Sequence, residues 1–270
     1  MIPKVINYCW FGNNPLDEKS KECIESWEKI MPDYEIKRWD ESNYDVNKND
    51  FMKEAYKNKK WAFVTDYARL DIIYNNGGIY LDTDVKVLKK FDDLLKLNAF
   101  MGFEDNNKVN TGLGFGANKG NKIVKENLDI YNKIKYKDEL GNFKPTNCPI
   151  ITTEILKRHG LKNENYKIQN IEGVMVFPRE YFAPLDYTSG NLNITEKTYS
   201  IHEYGMSWMS KDEQKWHILE QKMQKKIGKK CAHKMIRILS LPKRIINKTR
   251  KIGFKNTIKY AIKNSRWRRG

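Results

Sequence analysis

Strand, helix and strand follow one another within the first 40 residues, and that order restricts the fold more than any other feature of the chain. Val5 to Phe11 is short and apolar, as a buried parallel strand is. Asn13-Asn14-Pro15 makes a loop, and from Pro15 to Ile30 the residues Cys23, Ile24, Trp27 and Ile30 fall on one helical face. Met31-Pro32-Asp33 ends that helix, and Tyr34 to Trp39 alternates as a second strand. A helix returning the chain between two strands makes them parallel, so the spacing predicts an α/β protein with a largely parallel sheet. Further along, Phe63, Tyr67, Leu70 and Ile73 or Tyr74 predict a helix over Lys60–Asn75, with Gly77 as its breaker. Short elements follow: a helix over Phe91–Leu97, strands over Ala99–Phe103 and Asn110–Ala117, and helices over Ile123–Lys135 and Thr152–His159. Late strands are expected over Val174–Pro178 and Tyr199–His202, and no internal repeat is visible. A length of 270 residues allows one large domain or two small ones.

The chemistry concentrates where Gly77-Gly78 turns the chain, Ile79-Tyr80-Leu81 enters a core, and Asp82-Thr83-Asp84 follows at once. Read as extended chain, the two carboxylates point the same way, because strand side chains alternate with period 2. Paired hard oxygens suit Mg²⁺ or Mn²⁺, which bind few carboxylates and keep positions open for substrate phosphates. Asp-x-Asp is also a common polar turn, and the apolar run before it is what favours the functional reading. Acids at the carboxyl end of a strand also fit the place where α/β sheets bind ligands. Asp66 and Arg69, three apart on a helix, share a face, either as part of a site or as an ordinary ion pair. The glycines of Gly112-Leu113-Gly114-Phe115-Gly116-Ala117 fit neither a P-loop nor a dinucleotide fingerprint. No Ser/His/Asp triad is visible.

Three ordered motifs carry a family resemblance: Ile2-Pro3-Lys4-Val5-Ile6-Asn7-Tyr8-Cys9-Trp10-Phe11-Gly12, Ala62-Phe63-Val64-Thr65-Asp66-Tyr67-Ala68-Arg69, and Gly77 to Asp84. Together they resemble the sugar-transferase family with a DXD motif, the family 32 glycosyltransferases, and more distantly the catalytic core of clostridial glucosylating toxins. Weaker similarity continues to about Trp208. Asn7 departs from the family, many of whose members have His there; the change is expected to be tolerated. The resemblance implies a GT-A fold, Rossmann-like with helices flanking the sheet. It also implies a nucleotide-sugar donor, a divalent metal (Mn²⁺ or Mg²⁺) and retention of anomeric configuration. Asp66 and Arg69 match the family's Asp-x-x-Arg, whose side chains hold donor sugar hydroxyls and phosphate, and Thr65 and Tyr80 would line the same pocket. Asp82 and Asp84 would hold the metal. Trp10 matches a Trp that stacks on the nucleobase in toxin-like relatives, with a plain core Trp as its alternative.

Ile201 to Trp208 resembles the family's second site, a His followed by Ser-Trp. There His202 would complete the metal shell, with Glu203 as the alternative ligand, while Ser207 and Trp208 would hydrogen-bond the diphosphate. Asn110 and Thr152 or Thr153 would face the sugar or acceptor, or else serve as a turn Asn and helix-capping Thr. The implied reaction moves a hexose, with a UDP-hexose favoured, to a glycan acceptor. Front-face attack is favoured, and Asp66 as a covalent nucleophile stays open.

Charge divides the chain. From Gln221 to Gly270 there are 18 Lys and Arg and no acid, although the first 220 residues carry a net −2 within a total of +16. The expected organisation is a catalytic domain over 1–215 and a basic helical tail over 216–270. Met223, Ile227, Cys231, Met235 and Ile238 recur at helical spacing among Lys and Arg, Leu241-Pro242 is expected to break the helix, and a second segment carries Ile245, Ile246, Ile252, Phe254 and Ile258. Such a tail suits an anionic membrane surface, where a lipid-linked oligosaccharide for capsule or other cell-surface polysaccharide would be the acceptor. A nucleic-acid binder is the rival reading of the same charge, and a solvated tail is the plain one. Cys9, Cys23, Cys148 and Cys231 stand far apart with no Cys-x-x-Cys pair, and read as reduced cytosolic thiols. The start of the chain reads as lacking a secretory signal, and no run of 18 apolar residues exists. The sequons at Asn193 and Asn247 are then chance matches, and the expected location is cytoplasmic, at the inner face of the cell membrane.

Overall fold

A computed structural model describes residues 1–104, 107–137, 148–206 and 209–253. The chain divides into two units, residues 1–187 with 191–208, and residues 188–190 with 209–270.

In the first unit, β1 (Val5–Cys9), α1 (Glu18–Ile30) and β2 (Glu35–Trp39) form the expected βαβ start, with β1 and β2 parallel. Asp17 caps α1 by accepting from the Ser20 amide, which satisfies one of the free N–H groups of the first turn. Then come α2 (Asp50–Lys57) and α3 (Trp61–Asn76), which ends at Gly77 with φ 72°. They are followed by β3 (Gly78–Tyr80), β4 (Val85–Val87), β5 (Ala99–Gly102), β6 (Phe115–Ala117), α4 (Lys122–Tyr131) and α5 (Cys148–Arg158). The unit closes with β7 (Gln169–Ile171), β8 (Val174–Phe177) and β9 (Ser200–His202). Seven strands make one sheet in the order β2-β1-β3-β6-β5-β8-β7, while β4 and β9 form a separate antiparallel ribbon. Five of the seven strands run one way and β6 and β7 run the other, so the sheet is mixed and largely parallel, as the GT-A expectation requires.

Alternation along the strands builds a core on each sheet face. Cys9, Tyr80, Met101, Phe115 and Val176 join Phe51 of α2, Val64 and Leu70 of α3, Val124 of α4 and Leu156 of α5. On the other face Ile6, Tyr8, Ile79 and Phe100 meet Trp27 of α1, Val85 of the ribbon and Phe182. Trp27 is wholly buried, and its indole N–H donates to the Val85 carbonyl at 2.7 Å, tying α1 to the ribbon. A Cβ at Gly116 would lie 2.5 Å from the Phe100 ring, so the small residue lets β6 pass close to that aromatic cluster.

Several expected elements shift. The strand expected over Asn110–Ala117 begins with a 3-10 turn, Thr111–Leu113, because Asn110 Oδ1 accepts from the Gly112 amide and curls the chain before β6. The helix expected over Phe91–Leu97 shrinks to one 3-10 turn, Leu94–Lys96. Asp82 and Asp84 do not continue a strand: β3 stops at Tyr80, and the Val85 amide bonds back to the Asp82 carbonyl at 3.0 Å in a turn.

In the second unit, α6 (Lys211–Ile227) opens with a Ser210/Glu213 capping box and α7 spans Lys229–Ile252. The break expected at Leu241-Pro242 lies instead at Gly228, whose φ of 78° is open to glycine without a Cβ clash. The backbone stays helical through Leu241 and Pro242, so the remaining bonds of the long helix outweigh the lost Pro242 N–H and the crowding of its ring. Phe254 and Ile258 of the expected second segment lie outside the described residues.

Candidate active site

The ribbon assembles the site. Pairing β4 with β9 sets Val85 opposite His202, which brings a side chain from far along the chain beside the acids that end at Asp84. One ligand atom from each of Asp82, Asp84 and His202 lies within 4.8 Å of the others. His202 Nε2 stands 3.3 Å from Asp84 Oδ1 and 4.0 Å from Asp82 Oδ2. The ring is buried, packs edge-on against Tyr204 with centroids 4.4 Å apart, and leaves Nδ1 without a partner among the described residues. Two carboxylate oxygens and one imidazole nitrogen at this spacing fit a divalent cation of the Mn²⁺ or Mg²⁺ kind. Glu203 is turned away, its carboxylate 3.1 Å from Lys19 Nζ of α1, so His202 is the residue brought to the acids.

The two aspartates differ electrically. Burial pushes Asp84 upward, but the charge and hydrogen bond of His202 and the Gly205 amide outweigh it and hold the carboxyl below the usual range. The Gly205 N–H donates to Asp84 Oδ2 at 2.6 Å, and the Glu203 N–H donates to the Asp84 carbonyl at 2.8 Å. Burial raises Asp82 despite Arg69. Asp82 Oδ1 accepts from the Tyr80 hydroxyl at 2.9 Å and lies 3.2 Å from Arg69 Nη2.

Arg69 is the hub of a second, adjoining cluster. On α3 its Nε donates to the Thr65 carbonyl and its Nη2 to Thr65 Oγ1, both at 3.1 Å. The guanidinium also stands 3.3 Å from Asp66 Oδ1 and over the Tyr80 ring at 5.1 Å. Asp66 and Arg69 are both buried, so the ordinary surface pair is excluded. Burial raises the Asp66 carboxyl to about 6, with Arg69 opposing the shift. Tyr80 is 1% exposed and touches the site through its hydroxyl on Asp82 and its ring under Arg69, not by lining a pocket. Thr65 braces Arg69.

The remaining expected residues spread more widely. Trp10 follows β1, half-buried, with its indole N–H donating to the Asn14 carbonyl. Asn110 donates to Glu104 Oε1 at 3.1 Å while capping the 3-10 turn. The Thr152 hydroxyl donates to Asn127 Oδ1, and Thr153 Oγ1 donates to the Pro149 carbonyl and accepts from the Val109 amide. Both threonines therefore join α5 to its surroundings and do not cap it, since α5 starts at Cys148. Ser207 and Trp208 lie outside the described residues.

Sequence reasoning missed two glycines. A Cβ at Gly112 would lie 2.7 Å from Asp82 Oδ2 and 3.0 Å from Arg69 Nη1, and one at Gly205 would lie 3.2 Å from Asp84 Oδ2. The signal for Gly112 was the glycine cluster around it, of which Gly112 gives room beside Asp82 and Arg69 while Gly114 and Gly116 give room to Leu81 and Phe100; Gly205 had no such signal.

Residues 17–101 match the family described as the glycosyltransferase sugar-binding region containing DXD motif. An uncharacterized glycosyltransferase L373 of Acanthamoeba polyphaga mimivirus is 32% identical over 106 residues, 37% of this chain and 42% of that protein. Inositol phosphoceramide mannosyltransferase 3 of Schizosaccharomyces pombe is 33% identical over 108 residues, 37% of this chain and 29% of its own. Mannosyl phosphorylinositol ceramide synthase SUR1 of Saccharomyces cerevisiae is 30% identical over 105 residues, covering 37% and 27%. The chain thus spans less than half the length of these curated relatives. Among solved structures, the PaToxG glycosyltransferase aligns with a TM-score of 0.43 at 18% identity, covering 58% of this chain and 69% of that one. The galactosyltransferase LgtC, solved with donor and acceptor sugar analogs, aligns at 0.35 and 14%, covering 66% and 74%.

Proposed function

We propose that this chain, whose residues 17–101 carry the DXD-containing sugar-binding region of glycosyltransferases, is a metal-dependent, retaining hexosyltransferase. The observation that carries the reading is the convergence of Asp82, Asp84 and His202 beside a buried Arg69 held by Thr65 and Asp82. Asp82, Asp84 and His202 would hold Mn²⁺ or Mg²⁺. When such a cation is bound, its charge offsets the negative charge that grows on the departing diphosphate. Arg69, held through Nε and Nη2 by Thr65 and Asp82, would offer Nη1 to phosphate or sugar oxygens without having to reorganise. Asp66, engaged by that same guanidinium, would accept from sugar hydroxyls. In the front-face reaction the bond from sugar C1 to the β-phosphate oxygen breaks and its electron pair leaves with the nucleotide. The acceptor oxygen forms the new bond to C1 on the same face, and its proton passes to the departing phosphate. Asp66 as a covalent nucleophile is the alternative; its engagement by Arg69 favours a binding role.

The donor proposed is a UDP-hexose, from the likeness of Trp10 and Asp66/Arg69 to UDP-glucose users. A mannosyl donor is the second reading, supported by the names of the two yeast relatives. Both relatives are also named for a ceramide carrying an inositol phosphate, which supports an acceptor carried on lipid, here a lipid-linked oligosaccharide of capsule or related polysaccharide. The enzyme would then work in the cytoplasm at the inner face of the cell membrane. Hydrolysis of a panel of nucleotide sugars with and without Mn²⁺ tests the donor and the metal. A UDP-hexose preference is expected; preference for a mannosyl nucleotide would replace it, and equal turnover in chelator would overturn the metal-dependent reading.

A further inference from the structure

The helix α7 carries two exposed faces of different chemistry. Among its described side chains Ala232, Ile236 and Ser240, each four residues apart, are the buried positions, and α6 packs against α7 within the same unit. His233 Nδ1 meets Glu220 Oε1 at 2.9 Å across that pair. Met235, Ile238, Leu239 and Ile246, spaced i, i+3, i+4 and i+11, share a different face and are 45 to 61% exposed. Lys230, Lys234 and Arg237, spaced i, i+4 and i+7, are exposed on a third. The helix holds nine Lys and Arg and no acid.

We propose that α7 docks flat on an anionic lipid bilayer, inserting the Met235/Ile238/Leu239/Ile246 face between headgroups while the flanking bases meet lipid phosphates. An exposed apolar stripe beside uncompensated cations is what an interfacial helix needs, with burial of the stripe and attraction to anionic lipid acting together. Other occupants match less well. A nucleic-acid backbone would engage the bases and leave the apolar stripe in water. A second copy of the chain would set nine bases against nine more. Among the described residues no helix is long and apolar enough to cross a membrane, so the contact is with the surface. The inference stands apart from the sugar chemistry, because no residue of the Asp82/Asp84/His202 cluster takes part in it.

Flotation of the full-length protein with phosphatidylglycerol/phosphatidylcholine vesicles, against phosphatidylcholine alone, tests the docking. Binding to the anionic vesicles, weakened by salt, is expected. The double variant Ile238→Glu/Leu239→Glu should lower partitioning by about tenfold or more, and the variant with Lys230, Lys234 and Arg237 changed to Gln should do the same at low salt. Circular dichroism and donor hydrolysis should be unchanged in both, since all five positions are exposed. Failure of the wild-type protein to bind anionic vesicles overturns the proposal. So does undiminished binding by the Ile238/Leu239 variant, or a mass in light scattering showing that this stripe joins two copies. Duplex DNA that binds the wild type and the Ile238/Leu239 variant equally, where vesicles bind neither, would assign the helix to nucleic acid instead.

Discussion

Asp84 is fixed by three contacts from one short stretch: His202 at its Oδ1, the Gly205 amide at its Oδ2 and the Glu203 amide at its carbonyl. A ligand set held this way should bind cation as a preformed unit. We expect Mn²⁺ at about 100 times its Kd to stabilise the protein against urea by roughly 2.7 kcal/mol, since a ligand that binds only the native state adds its binding free energy. Asp84→Asn and His202→Ala should lose that increment, and Glu203→Gln, whose carboxylate is committed to Lys19, should keep it. Loss in Glu203→Gln alone would reassign the third ligand. Gly112 gives a second prediction at this scale. Its Cβ would press on Asp82 and Arg69, both side-chain ends, so Gly112→Ala should fold with near-normal stability. Displacing the carboxylate by a fraction of an ångström should nonetheless lower turnover by about 10²-fold, because reacting groups tolerate little misplacement. Steady-state kinetics beside a thermal melt separates the two effects.

Among the elements, α1 and the β4/β9 ribbon depend on each other through Trp27. Trp27→Phe removes the only donor shown to the Val85 carbonyl among the described residues and shrinks a wholly buried ring. An unsatisfied buried carbonyl costs about 1–3 kcal/mol, and the lost volume adds to it, so urea midpoints should fall by at least that much. Because Val85 faces His202 across the ribbon, the same variant should also weaken cation binding, which the Mn²⁺ increment reads. A second tie joins α4, α5 and the β7–β8 turn: His159 stands between Glu126 and Glu172 at 2.9 and 2.8 Å. Hydrogen bonds to the two carboxylates raise the His159 pKa above its ordinary 6.5. The folded state therefore holds the proton more tightly than the unfolded chain does. That stabilisation is complete below about 6.5 and fades as pH rises through the higher folded value. His159→Gln should flatten the loss of stability across that window in urea titrations at stepped pH; an unchanged slope would show that the pair is too well solvated to matter.

On the scale of the whole molecule, charge and catalysis occupy different units. The acids of the site and the matched residues 17–101 all lie in the first unit, whereas α7 with its nine bases lies in the second. Removing residues 229–270 should leave nucleotide-sugar hydrolysis intact and abolish flotation with anionic vesicles. Loss of hydrolysis along with the tail would show that the second unit supports the catalytic one.

By itself the sequence determined what depends on local period and local chemistry. The apolar run of β1, the stripe of α1 and the alternation of β2 were enough for the βαβ start, because each element's buried face is written in its own spacing. Asp82, Asp84, Asp66 and Arg69 were legible for the same reason, since they sit in short motifs beside strong punctuation such as Gly77-Gly78. Tertiary structure decided the rest. No local signal states that Val85 lies opposite His202, that Glu203 turns to Lys19, or that Gly112 stands against Asp82. The break at Gly228 and not at Pro242 likewise depends on how a long helix keeps its remaining backbone bonds. These are contacts between segments distant in sequence or compromises within a long element, and a one-dimensional pattern carries no term for either.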